Sequence, residues 1–151
     1  MLRQAFTDRM KQALKAGDAR ALSTTRLILA GLKDRDIAAR GQGNAEGISE
    51  TEIQRMLQAM IKQRRESIAL YEQGNRADLA RQEGEEITVI ESFLPRQFDK
   101  DEIEAAVKSV ITETEAANIK DLGKVMAALR ERYAGVIDLG QAGAIVRRLL
   151  G

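Results

Sequence analysis

Apolar residues recur at spacings of three and four along most of the chain. The repeat occupies four stretches before Pro95, the only proline, and three shorter stretches after it. Because this spacing places side chains on one face of an α-helix, each stretch predicts an amphipathic helix. No stretch alternates apolar and polar residues for long enough to indicate a β-strand. The pattern therefore predicts an all-α fold.

Polar residues at the start of the predicted helices support this interpretation. Each helix after the first begins at a residue whose side chain can accept a hydrogen bond from the free N–H groups of the first turn. The expected N-caps are Asp18, Ser49, Asn75, Asp99, Asn118 and Asp138. Ser49 and Asp99 are each followed three residues later by a glutamate, which is the pattern of a capping box.

The segment FLPRQF, residues 93–98, connects the fourth and fifth predicted helices. Proline disfavours α geometry at the residue before it, so the fourth helix should end by Leu94. The apolar faces on each side of this connector are sufficient for separate cores. We therefore expect an N-terminal helical domain that contains a helical hairpin, residues 1–95, and a small C-terminal three-helix bundle, residues 96–151.

Composition narrows the possible functions. The 151 residues carry 24 Lys and Arg against 23 Asp and Glu, so no strong overall charge draws the protein to DNA or to a membrane. The absence of cysteine and histidine excludes disulfides, Cys/His zinc sites and Ser-His-Asp triads. We expect neither a metal site nor a cofactor. The charged N-terminal segment lacks a signal-peptide core, and the longest apolar run is too short to span a membrane, which predicts a cytoplasmic protein.

Charged residues interrupt the apolar stripes of the third and fourth predicted helices. If these helices form a hairpin about Gly74, Arg64 on one helix faces Glu83 and Glu86 on the other. A buried charge is costly unless it is paired, so we interpret these residues as a structural ion pair. The competing interpretation is a catalytic cleft with two carboxylates and an arginine.

The segment NIKDLGKVMAALRERY, residues 118–133, contains the most specific candidate binding site. Gly123 falls in an expected helix interior, where glycine costs about 1 kcal/mol relative to alanine. Close approach of a neighbouring helix would explain the glycine, and so would close approach of a phosphate backbone beside Lys120 and Lys124. Both lysines lie near a helix N-terminus, which favours anions.

Four segments taken in order resemble the GatB/YqeY family. They are RLILAGLKDRDI (26–37), KQRRESIALYEQGNRADLARQE (62–83), FLPRQF (93–98) and KDLGKVMAALRERYAG (120–135), and the similarity runs over essentially the whole chain. In that family a stand-alone helical protein shares its C-terminal module with the tail of the B subunit of the glutamyl/aspartyl-tRNA amidotransferase. The resemblance implies a larger N-terminal helical part and a tail-like three-helix domain.

The resemblance also implies a link to tRNA. Stand-alone members carry, by similarity, the label of a carbon–nitrogen ligase with glutamine as amido-N-donor. The sequence has no phosphate-binding glycine loop for ATP and no cysteine nucleophile, so we expect no catalytic residues and no stand-alone enzyme. Val136 and Ile137 stand where the family typically has a basic residue and small residues, which removes one backbone contact.

Three hypotheses follow from these observations. The favoured one is a non-catalytic adaptor that binds tRNA, or a protein complex linked to tRNA, through the C-terminal bundle. Its candidate RNA-binding residues are Lys120, Lys124, Arg130, Arg147 and Arg148. The second is amidotransferase activity, alone or with a partner, and the third is a protein-interaction module without RNA. The sequence leaves the oligomeric state open.

Overall fold

A computed structural model describes residues 1–133 and 135–151 of the chain. Within these residues it contains α-helices and one 3₁₀ turn, Ile119–Asp121, but no β-strand, which confirms the all-α prediction. The α-helices are α1 (Leu2–Ala16), α2 (Ala19–Gly41), α3 (Glu50–Gln73), α4 (Ala77–Glu91), α5 (Lys100–Thr114), α6 (Leu122–Arg132) and α7 (Leu139–Leu150). The chain divides into two compact units, Met1–Leu94 and Pro95–Gly151.

The first unit consists of two packed helix pairs. α1 lies along α2 and α3 lies along α4, while α2 also packs against α4. Its core is formed by buried apolar side chains from all four helices and the segment after α4, namely Phe6, Ile28, Leu32, Ile53, Met56, Leu57, Ile61, Ile87, Ile90 and Leu94. The rings of Phe6 and Phe93 meet edge to face at 4.8 Å, so the segment after α4 is anchored to α1.

The second unit is built from α5, α6 and α7, each of which contacts the other two. Its core is almost entirely aliphatic and contains Ile103, Ala106, Val107, Val110, Val125, Leu129, Ile137, Ala142, Ile145, Val146 and Leu150. The Phe98 N–H donates to the Val136 carbonyl at 2.8 Å, and the Gln97 side chain donates to the Gly135 carbonyl at 2.6 Å. These bonds fasten the segment before α5 to the loop between α6 and α7.

Most of the expected caps are present in the structure. The side chains of Asp18 and Asp138 accept hydrogen bonds from backbone N–H groups in the first turns of α2 and α7. Ser49 and Asp99 each form a complete capping box with the glutamate three residues later. Asn118 caps the 3₁₀ turn instead of an α-helix.

The cap expected at Asn75 was wrong. The N-cap of α4 is Arg76, and its side chain forms no capping bond to the helix. Asn75 instead has a φ of 56°, in the left-handed region that asparagine tolerates better than most residues. Its role is therefore to reverse the chain between α3 and α4.

A buried carboxylate joins α2 to α1 and to the loop before α3. Asp36 is only 5% exposed, and it receives hydrogen bonds from the guanidinium of Arg3 and, at 2.9 Å, from the Ile48 N–H. Gly47 has a φ of 84°, and a Cβ there would overlap the Asp36 carboxylate. The Arg3 hydrogen bonds are the main reason why the pKa of Asp36 is lowered to about 2.

Replacing Asp36 by asparagine should lower the free energy of unfolding by about 2 kcal/mol at neutral pH. Because the pKa of Asp36 is lowered in the folded state, its stabilisation is complete well above the ordinary carboxyl pKa of 3.8 and is lost as the pH falls towards about 2. Urea denaturation at pH 7 and pH 3 should show the difference between wild type and Asp36→Asn shrinking to about half at the lower pH. A difference that stays constant with pH would contradict the role assigned to this ion pair.

Candidate nucleic-acid interface

The 3₁₀ turn before α6 sets the position of two of the candidate lysines. Asn118 Oδ1 accepts from the Lys120 N–H at 3.0 Å, and Asp121 Oδ2 accepts from the Ala117 N–H at 2.8 Å. The backbone N–H groups of Ala117 and Asn118 lower the pKa of Asp121. These local bonds fix the turn, and both Lys120 and Lys124 are exposed at the N-terminal end of α6.

The sequence predicted that Gly123 lies in a helix interior, and this prediction was wrong. It is the second residue of α6, so glycine costs less there than in the middle of a helix. Gly123 is exposed, and apart from its chain neighbours and the backbone of its own helix, no described atom lies within 4 Å of a Cβ built on it. Close approach of a neighbouring helix of this chain therefore does not explain the glycine.

The exposed face of α6 that carries Gly123 continues along the helix. Gly123, Ala127 and Arg130 are spaced by four and three residues, so they lie on one side of α6, and all three are exposed. We call Lys120, Gly123, Lys124, Ala127 and Arg130 the α6 surface. Its small residues leave the helix backbone accessible between the cations. Sequence reasoning missed Ala127, although its spacing from Gly123 was the available signal.

The three cations of the α6 surface differ in their surroundings from Arg148. Within the described part of the chain, Lys120, Lys124 and Arg130 form no salt bridge. Arg148 of α7 donates to Glu104 of α5 at 2.7 Å, and this hydrogen bond helps to lower the pKa of Glu104. The charge of Arg148 is thus partly neutralised by an ion pair at the surface of the second unit.

Arg147 lies at the contact between α6 and α7. Its Nη1 atom and Met126 Cε stand 3.6 and 3.7 Å from the position that a Cβ on Gly143 would occupy. Arg147 therefore folds back along α7 towards the side of α6 that carries Met126. Because Arg130 follows Met126 by one helical turn, Arg147 can extend the positive surface beyond α6.

The charged residues on α3 and α4 form a separate cluster in the first unit. Arg64 Nε donates to Glu86 Oε2 at 2.8 Å and lies 3.9 Å from Glu83. On its other side, Glu86 lies 3.9 Å from Arg20 of α2. The side chains of Arg64 and Glu86 are each 11% exposed. Three helices are therefore joined through one carboxylate.

Glu83 has an unusual environment in this cluster. Burial and the negative charge of neighbouring Glu86 raise its pKa, although Arg64 acts in the opposite direction. No group of acidic, histidine or cysteine side chains in residues 1–133 and 135–151 has the geometry to hold a metal ion. Arg64 donates to Glu86 and also to the Met60 carbonyl on its own helix at 3.2 Å. Since these bonds compensate the burial of the guanidinium, the arrangement suits an interhelical ion pair.

Together, the fold and the α6 surface define a class of helical protein. It has a unit of two helix pairs stabilised by internal ion pairs and a three-helix unit whose cations face solvent. The chain belongs to the YqeY-like protein family, whose model matches residues 3–150. This match confirms the GatB/YqeY resemblance found in the sequence.

A curated relative is also similar over part of its length. It is "Altered inheritance of mitochondria protein 41, mitochondrial" of Lachancea thermotolerans, 31% identical over 111 residues. The alignment covers 72% of this chain but 57% of the relative, so the chain spans little more than half of that protein. Among the helices described here, none is long and apolar enough to cross a membrane.

Replacing Arg64 by methionine should reduce the free energy of unfolding by about 3–5 kcal/mol, because Glu86 would keep a buried charge without its closest partner. Chemical denaturation at neutral pH measures this change. Arg65→Met is the matched control, because Arg65 is the next residue on α3 and pairs with Glu91 near the surface at 3.3 Å. The control should cost about 0–1 kcal/mol. Equal effects of the two substitutions would show that the Arg64 cluster stabilises the fold no more than a surface ion pair does.

Proposed function

We propose that this protein is a non-catalytic adaptor that binds tRNA through the α6 surface of its second unit. The observation that carries the proposal is the combination of exposed, unpaired cations with an open helix face at Gly123 and Ala127. A phosphate backbone can approach such a face closely, and Lys and Arg at its ends and flank can then contact phosphates. The family's relation to the amidotransferase tail supports tRNA as the nucleic acid.

The chemistry of the α6 surface favours contacts to phosphates over contacts to bases. In the second unit the aromatic residues are Phe98 and Tyr133, and their rings pack against each other at 5.4 Å. Neither ring is part of the α6 surface, which therefore offers no platform on which a base could stack. Binding should consequently depend on charge and on the shape of the RNA.

Catalysis is not part of the proposal. Carboxyl activation needs a site for ATP, and release of ammonia from glutamine needs an activated nucleophile. The sequence contains no cysteine and no phosphate-binding glycine loop, and the buried carboxylates pair with arginines. Amidotransferase activity would require a partner to supply the active site. The proposal includes the cytoplasmic location expected from the sequence.

A protein-interaction module is the second candidate function. Ile119 is 46% exposed in the 3₁₀ turn beside Lys120, and Leu149 is 39% exposed on α7. Contact with another protein would bury these two aliphatic side chains. The small net charge of the whole chain also fits this alternative.

The salt dependence of tRNA binding tests the adaptor function. Each phosphate that is neutralised adds about 0.7–0.9 to the slope of log affinity against log salt concentration. Replacing Lys120 and Lys124 by alanine should therefore make the salt dependence weaker. The magnitude of the slope should decrease by about 1–2 in fluorescence anisotropy titrations with tRNA. The fold should be unchanged, because both side chains are exposed.

Lys100→Ala combined with Lys108→Ala provides the control for this experiment. Both residues are exposed lysines of α5 in the same unit, so the net charge changes equally. The control should keep the wild-type slope. A slope that falls equally in both double variants would indicate binding by overall charge alone, and no binding at low salt would favour the protein-interaction module.

A further inference from the structure

A concave site lies in the first unit, between α2 and α3. These two helices touch along only a short stretch, since α4 packs against both of them. The space between them forms an open cleft of about 440 Å³. This is within the range of about 300–1,000 Å³ that is typical of sites for small organic molecules. The cleft shares no residue with the α6 surface.

The lining of the cleft combines an apolar surface with positive charge. Ala38 and Ala39 of α2 and Met56 of α3 provide apolar side chains, and Ile48 of the preceding loop adds another. Arg35 and Arg55 bring a guanidinium from each of the two helices. Over the described residues, neither arginine forms a salt bridge or donates a side-chain hydrogen bond, unlike Arg3, Arg20 and Arg64 of the same unit.

The position of Arg35 is supported by its packing. Its Nη1 atom lies 3.6 Å, and Met56 Sδ 3.7 Å, from the point where a Cβ on Gly31 would stand. The guanidinium therefore lies along α2 close to the apolar side chain contributed by α3. A Cβ at Gly31 would make ordinary van der Waals contact with both atoms.

One carboxylate oxygen of Glu52, the acidic residue of the cleft, already accepts hydrogen bonds within the protein. Glu52 Oε1 accepts hydrogen bonds from the Ser49 hydroxyl at 3.2 Å and from the Ser49 N–H at 3.4 Å. These bonds complete the capping box of α3 and hold the carboxylate at the start of that helix. The two arginines are left with donors that an external acceptor can use.

We propose that this cleft binds a small organic anion. Its carboxylate or phosphate group accepts hydrogen bonds from Arg35 and Arg55, and its apolar part packs against Ala38, Ala39 and Ile48. Guanidinium groups suit this role because they can donate two parallel hydrogen bonds to either kind of anion. The apolar wall adds affinity for the body of the ligand, which inorganic phosphate lacks.

The proposal can be tested with three probes of similar size. Phenyl phosphate and phenylacetate carry the two candidate anionic groups, and benzyl alcohol is the neutral counterpart. Titrations of the full-length protein, followed by amide nuclear magnetic resonance, should show saturable shifts around the cleft for at least one anion. Comparison of the two anions identifies the preferred head group. Benzyl alcohol should bind at least about tenfold more weakly.

Arg35→Gln combined with Arg55→Gln should weaken binding of the preferred anion at least about tenfold. The control is Arg26→Gln combined with Arg81→Gln, since these exposed arginines of the same unit lie outside the cleft and the charge change is equal. The control should bind like wild type, and circular dichroism should show that all variants are folded. Equal weakening in both double variants, equal binding of benzyl alcohol, or no saturable binding of either anion would overturn the proposal.

Discussion

The buried carboxylate of Glu86 is the constraint on which the first unit depends. It is held by Arg64 of α3 and lies close to Arg20 of α2, while Glu86 itself belongs to α4. An unpaired charge at this position would be strongly unfavourable, so the three helices must keep a register that brings these groups together. Asp36 imposes a similar requirement on α1, α2 and the loop before α3. Polar pairing thus specifies an arrangement that apolar packing alone would leave less defined.

The cations of this protein either pair with carboxylates of other elements or face solvent. In the first unit, arginines from α1, α2 and α3 reach inwards or across to carboxylates of other elements. In the second unit, Arg132 of α6 and Arg148 of α7 pair with carboxylates of α5, whereas the lysines and the arginine of the α6 surface face solvent. Charges that are not needed for folding are free to serve binding. The difference between the buried, paired Arg64 and the exposed cations of the α6 surface is the physical basis for proposing RNA contact at the α6 surface and a structural role for the Arg64 cluster.

Much of the fold was predictable because it depends on local patterns. Helical spacing identified every α-helix, and the capping residues Asp18, Ser49, Asp99 and Asp138 marked where four of them begin. Other features could not be predicted, because they depend on contacts between distant residues or on the backbone conformation of a turn. The buried ion pair of Asp36 joins residues that are 33 positions apart, and the turn at Asn75 is a left-handed conformation that resembles a cap in sequence. Gly123 was assigned to a helix interior because the sequence does not distinguish a 3₁₀ turn from the first turn of α6.

The most direct measurement of the central claim is tRNA affinity after filling the open helix face without changing charge. Gly123→Gln places a neutral side chain between the cations, and it should leave the fold intact because the space above Gly123 is open. Ala105→Gln, at an exposed position of α5, is the matched control. If the RNA backbone approaches α6 at Gly123, Gly123→Gln should weaken tRNA binding at least about tenfold, whereas the control should bind like wild type. Unchanged affinity in Gly123→Gln would contradict the claim that the α6 surface receives the phosphate backbone.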